Sequence, residues 1–136
     1  MTAFAGSLDA NVLLRILLND LPDQHIAAAQ LFEHAIGQLA VSDTAVIELV
    51  FVLERHYGLT RSQIGEAVQG IMSLVQVNCN RALFAKALPL FMGHPSLSFE
   101  DCCLATYADL NDARPLWTFD KGLAKYASAA ELVPSL

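Results

Sequence analysis

The chain has 136 residues, of which 54% are hydrophobic and 16% charged, and its formal net charge is −6. This length and composition fit one compact globular domain and exclude a disordered or highly solvated chain. No apolar run reaches the length of a membrane span, and the opening residues lack the basic start and apolar centre of a secretion signal, so we expect a soluble cytoplasmic protein. The acidic excess argues against a generic electrostatic nucleic-acid binder.

Short apolar strands alternate with helices along the first half of the chain. The predicted elements, in order, are a strand at 3–8, a helix at 11–20, a helix from Pro22 to Gly37, a strand at 39–42, a helix that stops at Gly58, a helix at 60–74 and a strand at 75–79. In the second of these helices, four apolar residues lie near helical spacing, which favours a helix there: Ile26, Ala29, Leu31 and Ile36.

Two helix starts in this half carry capping signals. Ser42, Asp43 and Thr44 form a capping cluster before the helix that follows the second strand. Thr60 and Gln63 have the spacing of a capping box. Both helices are therefore predicted to begin at these residues.

The same alternation continues in the second half. The predicted elements are a helix at 81–92 that Pro89 should kink or end, a helix at 98–111, a strand at 115–119, a short helix at 120–127 and an edge strand at 131–133. Strands joined by helices predict a parallel sheet with helices on both faces. Ligands of such sheets bind beyond the carboxyl ends of the strands, which is where Asp9 and Asp120 are expected.

Three cysteines and four scattered histidines form no recognisable ligand motif. None of them has the spacing of a zinc site or of a disulfide framework. We interpret the cysteines as small buried hydrophobic residues in a reducing compartment.

Four carboxylates interrupt segments that otherwise look buried: Asp9, Glu48, Asp101 and Asp120. Glu48 is the clearest, because it is the one polar residue in the run 45–53 and a helix would bury most faces of that run. An isolated buried carboxylate costs several kcal/mol, so it normally neutralises, pairs with a cation or binds a metal.

Three of these acids also have an ordinary structural explanation. Asp9 and Asp120 could each cap the helix that follows, and Asp101 lies three residues after Ser98 in the pattern of a capping box. Glu48 lies well inside its helix and has no such explanation. Together, the four acids favour a hard cation such as Mg²⁺ or Mn²⁺, which prefers carboxylate oxygen, with one or two ions per site.

Four segments, taken in order, resemble the PIN domain, particularly the VapC-like toxin ribonucleases of bacterial type II toxin-antitoxin systems. They are SLDANVLL around Asp9, TAVIELVFVLER around Glu48, SFEDCCLATYA around Asp101 and PLWTFDKGL around Asp120. The resemblance implies one PIN domain over residues 1–136. Its fold would be a three-layer α/β/α sandwich around a mainly parallel sheet of four to five strands.

The resemblance also implies roles for single residues. Asp9, Glu48 and Asp101 match the metal-ligating acids of the family, and Asp120 matches a more variable fourth acid that helps to position water or a second ion. Two further residues match supporting polar positions: Asn11 and Thr118. The implied reaction is metal-dependent endonucleolytic hydrolysis of RNA by in-line attack of an activated water.

Substrate and protein partners are expected as well. Four basic residues near the acids are candidates for RNA contact: Arg15, Arg55, Lys121 and Lys125. The family resemblance implies a homodimer and a small antitoxin that covers the metal site. The middle helices carry more apolar residues than one internal face needs, which suits a partner surface: Leu31, Phe32, Leu49, Phe51, Val52, Leu53, Ile71 and Met72.

Three other functions fit parts of the sequence. One is a non-catalytic PIN-like module that binds protein or RNA, and another is a housekeeping PIN nuclease without an antitoxin. The third is aspartyl phosphotransfer of the receiver or haloacid-dehalogenase type. That chemistry uses paired acids near the first strand or an Asp-x-Asp motif, and Asp9-Ala10-Asn11 supplies neither.

Overall fold

The computed structural model describes residues 4–135, in which strands and helices alternate. In chain order they are β1 (Phe4–Ser7), α1 (Ala10–Leu17), α2 (Pro22–His34), β2 (Gln38–Ala40), α3 (Asp43–Arg55), α4 (Arg61–Met72), β3 (Val77–Asn78), α5 (Arg81–Gly93), α6 (Phe99–Leu110), β4 (Leu116–Thr118), α7 (Lys121–Tyr126) and β5 (Ala130–Leu132). Ala3, at the start of the predicted first strand, lies outside the described residues. The chain divides into two compact units, one ending at Asn80 and the other beginning at Arg81.

The first unit contains a three-stranded parallel sheet in the order β1-β2-β3. Ser7 pairs with Ala40, and Leu39 pairs with Val77. The backbone N–H of Leu8 continues the ladder by donating to the carbonyl of Ala40 at 2.9 Å. Because the strands are parallel, their carboxyl ends meet at one edge of the sheet, as the sequence predicts.

Helices α1 and α3 pack against each other in the first unit. Leu13 of α1, Leu53 of α3 and Ile64 of α4 are completely buried. Burying a leucine or isoleucine side chain stabilises a fold by about 1.5–3 kcal/mol. These side chains therefore fix the positions of the helix starts that follow β1 and β2.

Helix α2 buries only a narrow face. Its buried residues are Ala28 and Phe32. The four apolar residues whose spacing predicted the helix are all exposed: Ile26, Ala29, Leu31 and Ile36, of which Ile36 is 94% exposed and lies beyond the end of the helix. The helix therefore buries a narrow stripe containing one large side chain, while several of its bulkier aliphatic residues face outward.

The predicted starts of α3 and α4 agree with the structure, whereas the helices of the first unit end two or three residues before their predicted ends. Ser42 is the N-cap of α3 and accepts a hydrogen bond from the N–H of Ala45 at 3.2 Å. The capping box at α4 is complete, since Thr60 and Gln63 exchange backbone-to-side-chain hydrogen bonds of 2.9 and 3.1 Å. Gly58, where the preceding helix was predicted to stop, has φ +63°, a left-handed conformation that favours glycine.

The second unit combines packed helices α5 and α6 with a two-stranded parallel pair, β4 and β5. Phe99 of α6 stacks on Phe84 with ring centroids 6.0 Å apart and meets Phe91 edge-on at 5.3 Å. This aromatic cluster anchors the start of α6, where Asp101 lies. In the pair, Thr118 of β4 is in register with Leu132 of β5.

Helix α5 continues through Pro89 to Gly93 and does not end at the proline. Proline has no N–H to donate to the carbonyl four residues earlier, which here belongs to Ala85. Both Pro89 and Ala85 are exposed, so water can reach that carbonyl. Among helices of the described residues, none is both long and apolar enough to cross a membrane.

Candidate active site

An open cleft of about 440 Å³ lies at the carboxyl edge of the sheet in the first unit. Its walls are the end of β1, the first turn of α1 and the first turns of α3. Two carboxylates, Asp9 and Glu48, line it together. Two of the four acids that were predicted to act jointly thus line one cleft, which is formed by the parallel sheet and by the packing of α1 on α3.

Asp9 is the N-cap of α1. Its Oδ1 accepts a hydrogen bond from the N–H of Val12 at 2.9 Å, so the structural explanation considered for this residue is confirmed. A carboxylate has two oxygens and several lone pairs, and one N–H occupies only part of that capacity. Capping a helix and binding a cation are therefore compatible at Asp9.

Glu48 is exposed, and the prediction that its helix buries it was wrong. The buried residues of α3 lie on one side of the helix: Ala45, Val46, Leu49, Val50 and Leu53. The other side carries Thr44, Glu48 and Arg55, all exposed, and the ring of Phe51, which is 55% exposed. The apolar run misled the prediction because an outward-facing phenylalanine made the helix look apolar on every face.

Asp101 and Asp120 belong to the second unit. Asp101 is half-buried in the first turn of α6, and its N–H donates to Ser98 Oγ at 3.1 Å. In the described part of the chain the reciprocal hydrogen bond from the Asp101 side chain is not formed, so the predicted capping box is only half present. The carboxylate of Asp101 is not used by the cap.

Asp120 is the N-cap of α7, and its Oδ1 accepts from the N–H of Leu123 at 2.9 Å. The backbone N–H of Asp120 donates to Thr118 Oγ1 at 3.0 Å, which places the predicted supporting residue Thr118 next to Asp120. A Cβ added at Gly122 would lie 3.3 Å from Asp120 Oδ1. This glycine therefore leaves room for the carboxylate in its present position.

The donor chemistry fits a hard divalent cation. Asp9 and Glu48 offer carboxylate oxygens on one open cleft, and Mg²⁺ is usually held by one or two carboxylates with waters and substrate phosphates completing its shell. Among residues 4–135, no group of three or more His, Cys, Asp or Glu side chains is arranged to hold a metal ion. The four-acid metal site stays a prediction, and the pair at the cleft is its best-supported part.

Three hydroxyl residues that line the cleft were missed as site residues: Ser7, Ser42 and Thr44. Ser42 and Thr44 had been interpreted only as helix-capping residues. They follow β2 directly, and the strand-end rule that singled out Asp9 applies to them equally.

The four basic candidates occupy different environments. Arg55 is exposed, with its guanidinium carbon 5.7 Å from the centroid of the Phe51 ring. Lys121 and Lys125 are exposed on α7, directly after Asp120. Arg15 is different, because it is only 9% exposed and forms an ion pair of 2.6 Å with Asp20.

Arg15 is the centre of a polar network within the first unit. Its Nη2 donates to Asn11 Oδ1 at 3.3 Å, which is where the structure places the predicted supporting residue Asn11. Tyr57 donates its hydroxyl to the second oxygen of Asp20 at 2.8 Å. Arg15 Nε is buried and has no hydrogen-bond partner among the described residues. The network ties α1 to the end of α3, which gives Arg15 a structural role.

This network should make stability depend on pH through Asp20. The hydrogen bond from Tyr57 and the contacts with Arg15, opposed by partial burial, hold the pKa of Asp20 below its ordinary value. The unfolded chain then binds the proton more readily, so the stabilisation is complete above the ordinary pKa and is lost as the pH falls through the lowered pKa. We expect Asp20→Asn to be less stable than wild type at pH 7 and the difference to shrink below about pH 4.

Urea unfolding of both proteins at a series of pH values measures this effect. The other carboxylates titrate in both proteins, so their contributions to the unfolding free energy cancel in the difference between the two. A difference in unfolding free energy that stays constant between pH 7 and pH 3 would show that Asp20 does not contribute through its charge.

The chain matches the PIN domain family over residues 7–129. No match to a curated protein was found. Proteins of the PIN family are generally nucleases, typically bind RNA and typically use divalent metal ions. The match confirms the α/β, PIN-like fold class predicted from the sequence. Because it covers most of the chain, from β1 to the residue before β5, this protein belongs to the PIN domain family.

Proposed function

We propose that this protein is a metal-dependent endoribonuclease that hydrolyses RNA phosphodiester bonds, with Asp9, Glu48, Asp101 and Asp120 as its catalytic acids. The observation that carries the proposal is the pairing of Asp9 and Glu48 on one open cleft at the carboxyl edge of a parallel sheet, in a member of a nuclease family. This is the edge at which α/β proteins bind their ligands.

The acids would hold one or two Mg²⁺ or Mn²⁺ ions. Such an ion, when bound, lowers the pKa of the attacking water and offsets negative charge on the phosphate. Asp9 is held in place by the hydrogen bond from the N–H of Val12, and Asp120 by the one from Leu123. These caps limit the motion of the carboxylates and so prepare them for the ion.

The cleft also offers features that favour an RNA phosphate. The N-terminus of α3 opens at the cleft with the neutral Ser42 as its cap, and Asp43 in its first turn offsets part of the positive charge of that helix end. The net charge of −6 argues less strongly against RNA binding than its value suggests, because four of the fourteen acids belong to the proposed site. Arg55, Lys121 and Lys125 are exposed and are the basic residues best suited to contact RNA.

We further propose that the protein is the toxin of a type II toxin-antitoxin pair, is a homodimer and is covered by a small antitoxin. The outward face of α2 supports a protein partner, since Ile26 and Leu31 are 53% and 43% exposed there. A mainly apolar cavity of about 270 Å³ lies between α1 and α2, with Val12 and Leu31 among its lining residues. The proposed partner surface is thus centred on α2. Phe32, Leu49, Leu53 and Ile71, which had been assigned to the partner surface, are buried in the core.

RNA cleavage by the purified protein tests the proposed activity. We expect cleavage of RNA with Mg²⁺ or Mn²⁺ and none with a chelator. If the folded protein cuts no RNA with either ion, the proposed nuclease activity is contradicted and a non-catalytic binding module is favoured. Growth arrest on expression, relieved by the product of a neighbouring small reading frame, separates a toxin from a housekeeping nuclease.

A further inference from the structure

A groove continues from the cleft along the contact between α1 and α3. This groove encloses about 130 Å³ and is lined by Ala10, Asn11, Leu14, Glu48 and Val52. It shares Ala10 and Glu48 with the larger cleft. The smaller pocket therefore adjoins the cleft beside Glu48, between α1 and α3.

Phe51 and Arg55 lie on α3 beyond Glu48, and neither lines the cleft or the groove. They follow Glu48 by three and seven residues, spacings that place side chains on the same side of a helix. Seven residues of helix rise about 10 Å. The phenylalanine ring is 55% exposed, and the Arg55 guanidinium lies 5.7 Å from its centroid. Together they present a ring and a planar cation to solvent, close to the two carboxylates but not among them.

Arg55 is also distinct in its electrostatic surroundings. The first unit contains three arginines, of which Arg15 pairs with Asp20 and Arg61 pairs with Glu54 at 3.2 Å. Within residues 4–135 Arg55 forms no ion pair with a carboxylate. Its charge is therefore available to an anionic ligand that binds on this face of α3.

We propose that Phe51 and Arg55 form a stacking platform that holds an unpaired RNA base about one helical turn beyond Glu48. This inference rests on the proposed ribonuclease function. Bases of unpaired RNA stack on aromatic rings and on guanidinium planes, whereas bases in a duplex are covered by their neighbours. A protein partner would need a broader apolar patch, but the aliphatic neighbours of the ring, Ile47 and Val52, are half-buried.

The test measures RNA binding without cleavage. Glu48→Gln protein in chelating buffer is titrated into a labelled single-stranded oligoribonucleotide, with and without a second substitution. We expect Phe51→Leu to weaken binding by about tenfold or more, as loss of one base stack does, and Phe51→Tyr to restore it. Phe4→Leu is the matched control, because Phe4 is 58% exposed but lies at the end of β1 away from Asp9.

Salt dependence separates stacking from charge. Phe51→Leu should leave the slope of log affinity against log salt unchanged, whereas Arg55→Gln should reduce it by about one. Binding of a perfect RNA duplex should respond to Arg55→Gln but not to Phe51→Leu. Circular dichroism of every variant checks that it is folded.

Two outcomes would overturn the platform. If Phe51→Leu binds single strands as tightly as the Phe4→Leu control, the ring does not stack on a base. The same holds if Phe51→Leu lowers self-association or binding of a protein partner while RNA affinity is unchanged. In either case, cleavage by wild type that is lost in Glu48→Gln would leave the ribonuclease proposal intact. Absence of both RNA binding and cleavage in wild type would instead remove the proposed function and the platform with it.

Discussion

Replacing Glu48 by glutamine is expected to lower the rate of RNA cleavage by about a thousandfold or more. The substitution keeps the size of the side chain but removes the charge that would hold the ion, and the ion is worth several kcal/mol of transition-state stabilisation. Because Glu48 is exposed, the unfolding free energy of the Glu48→Gln protein should stay within about 0.5 kcal/mol of the wild-type value. The measurements are cleavage of a labelled RNA under single-turnover conditions and urea unfolding.

Glu66→Gln provides the matched control. Glu66 is an exposed glutamate on α4 of the same unit and does not line the cleft. It loses the same charge and should cut RNA at the wild-type rate. Equal cleavage by Glu48→Gln and Glu66→Gln would remove Glu48 from the catalytic site.

Two substitutions of Asp9 should separate its structural role from its catalytic role. Asn at an N-cap is about as favourable as Asp, so Asp9→Asn should retain the hydrogen bond to the N–H of Val12 and the stability of wild type. Asp9→Ala loses the cap and should cost about 1 kcal/mol of unfolding free energy. Both variants lose the anionic ligand, and both should lose about a thousandfold in cleavage rate.

Comparing the stability of these variants with their cleavage rates shows whether Asp9 acts only as a helix cap or also in catalysis. If Asp9 acted only as a cap, Asp9→Asn would cut RNA like wild type and only Asp9→Ala would be impaired, in proportion to its loss of folded protein. Cleavage and unfolding measured on the same preparations distinguish the two results.

The position of Glu48 could be predicted from the sequence, but its exposure could not. Ser42 begins the helix and fixes how far Glu48 stands from the carboxyl edge of the sheet, and both follow from local signals. Exposure depends on which side of α3 meets α1 and α4, which is a tertiary property. Phe51 faces outward although it is apolar, and residue type alone does not tell an exposed apolar side chain from a buried one.

For helix α2, likewise, the sequence predicts the helix but not which of its faces is buried. Pro22 and the turn at Gly37 correctly bracketed the helix, although it ends at His34. The choice between the face with Ala28 and Phe32 and the face with Ile26 and Leu31 could not be made from periodicity, because both faces carry apolar residues at helical spacing. The structure shows that the bulkier aliphatic face is outside.

The acids illustrate what capping patterns can and cannot reveal. Asp9 and Asp120 both cap helices, as their positions suggested, and the same strand-end positions led to the prediction of a cation site. Capping at Asp101 was predicted with Ser98 as a reciprocal box, but only the Ser98 half is formed. The sequence pattern is the same for a full and a half box, since the difference lies in the direction of one side chain.

Titration of Mn²⁺ into the purified protein by calorimetry tests most directly whether Asp9 and Glu48 form a metal site. We predict that wild type binds the ion, that Glu48→Gln and Asp9→Asn each bind it at least about tenfold more weakly, and that Glu66→Gln binds it like wild type. Equal Mn²⁺ affinity in wild type, Glu48→Gln and Asp9→Asn would contradict the proposed site.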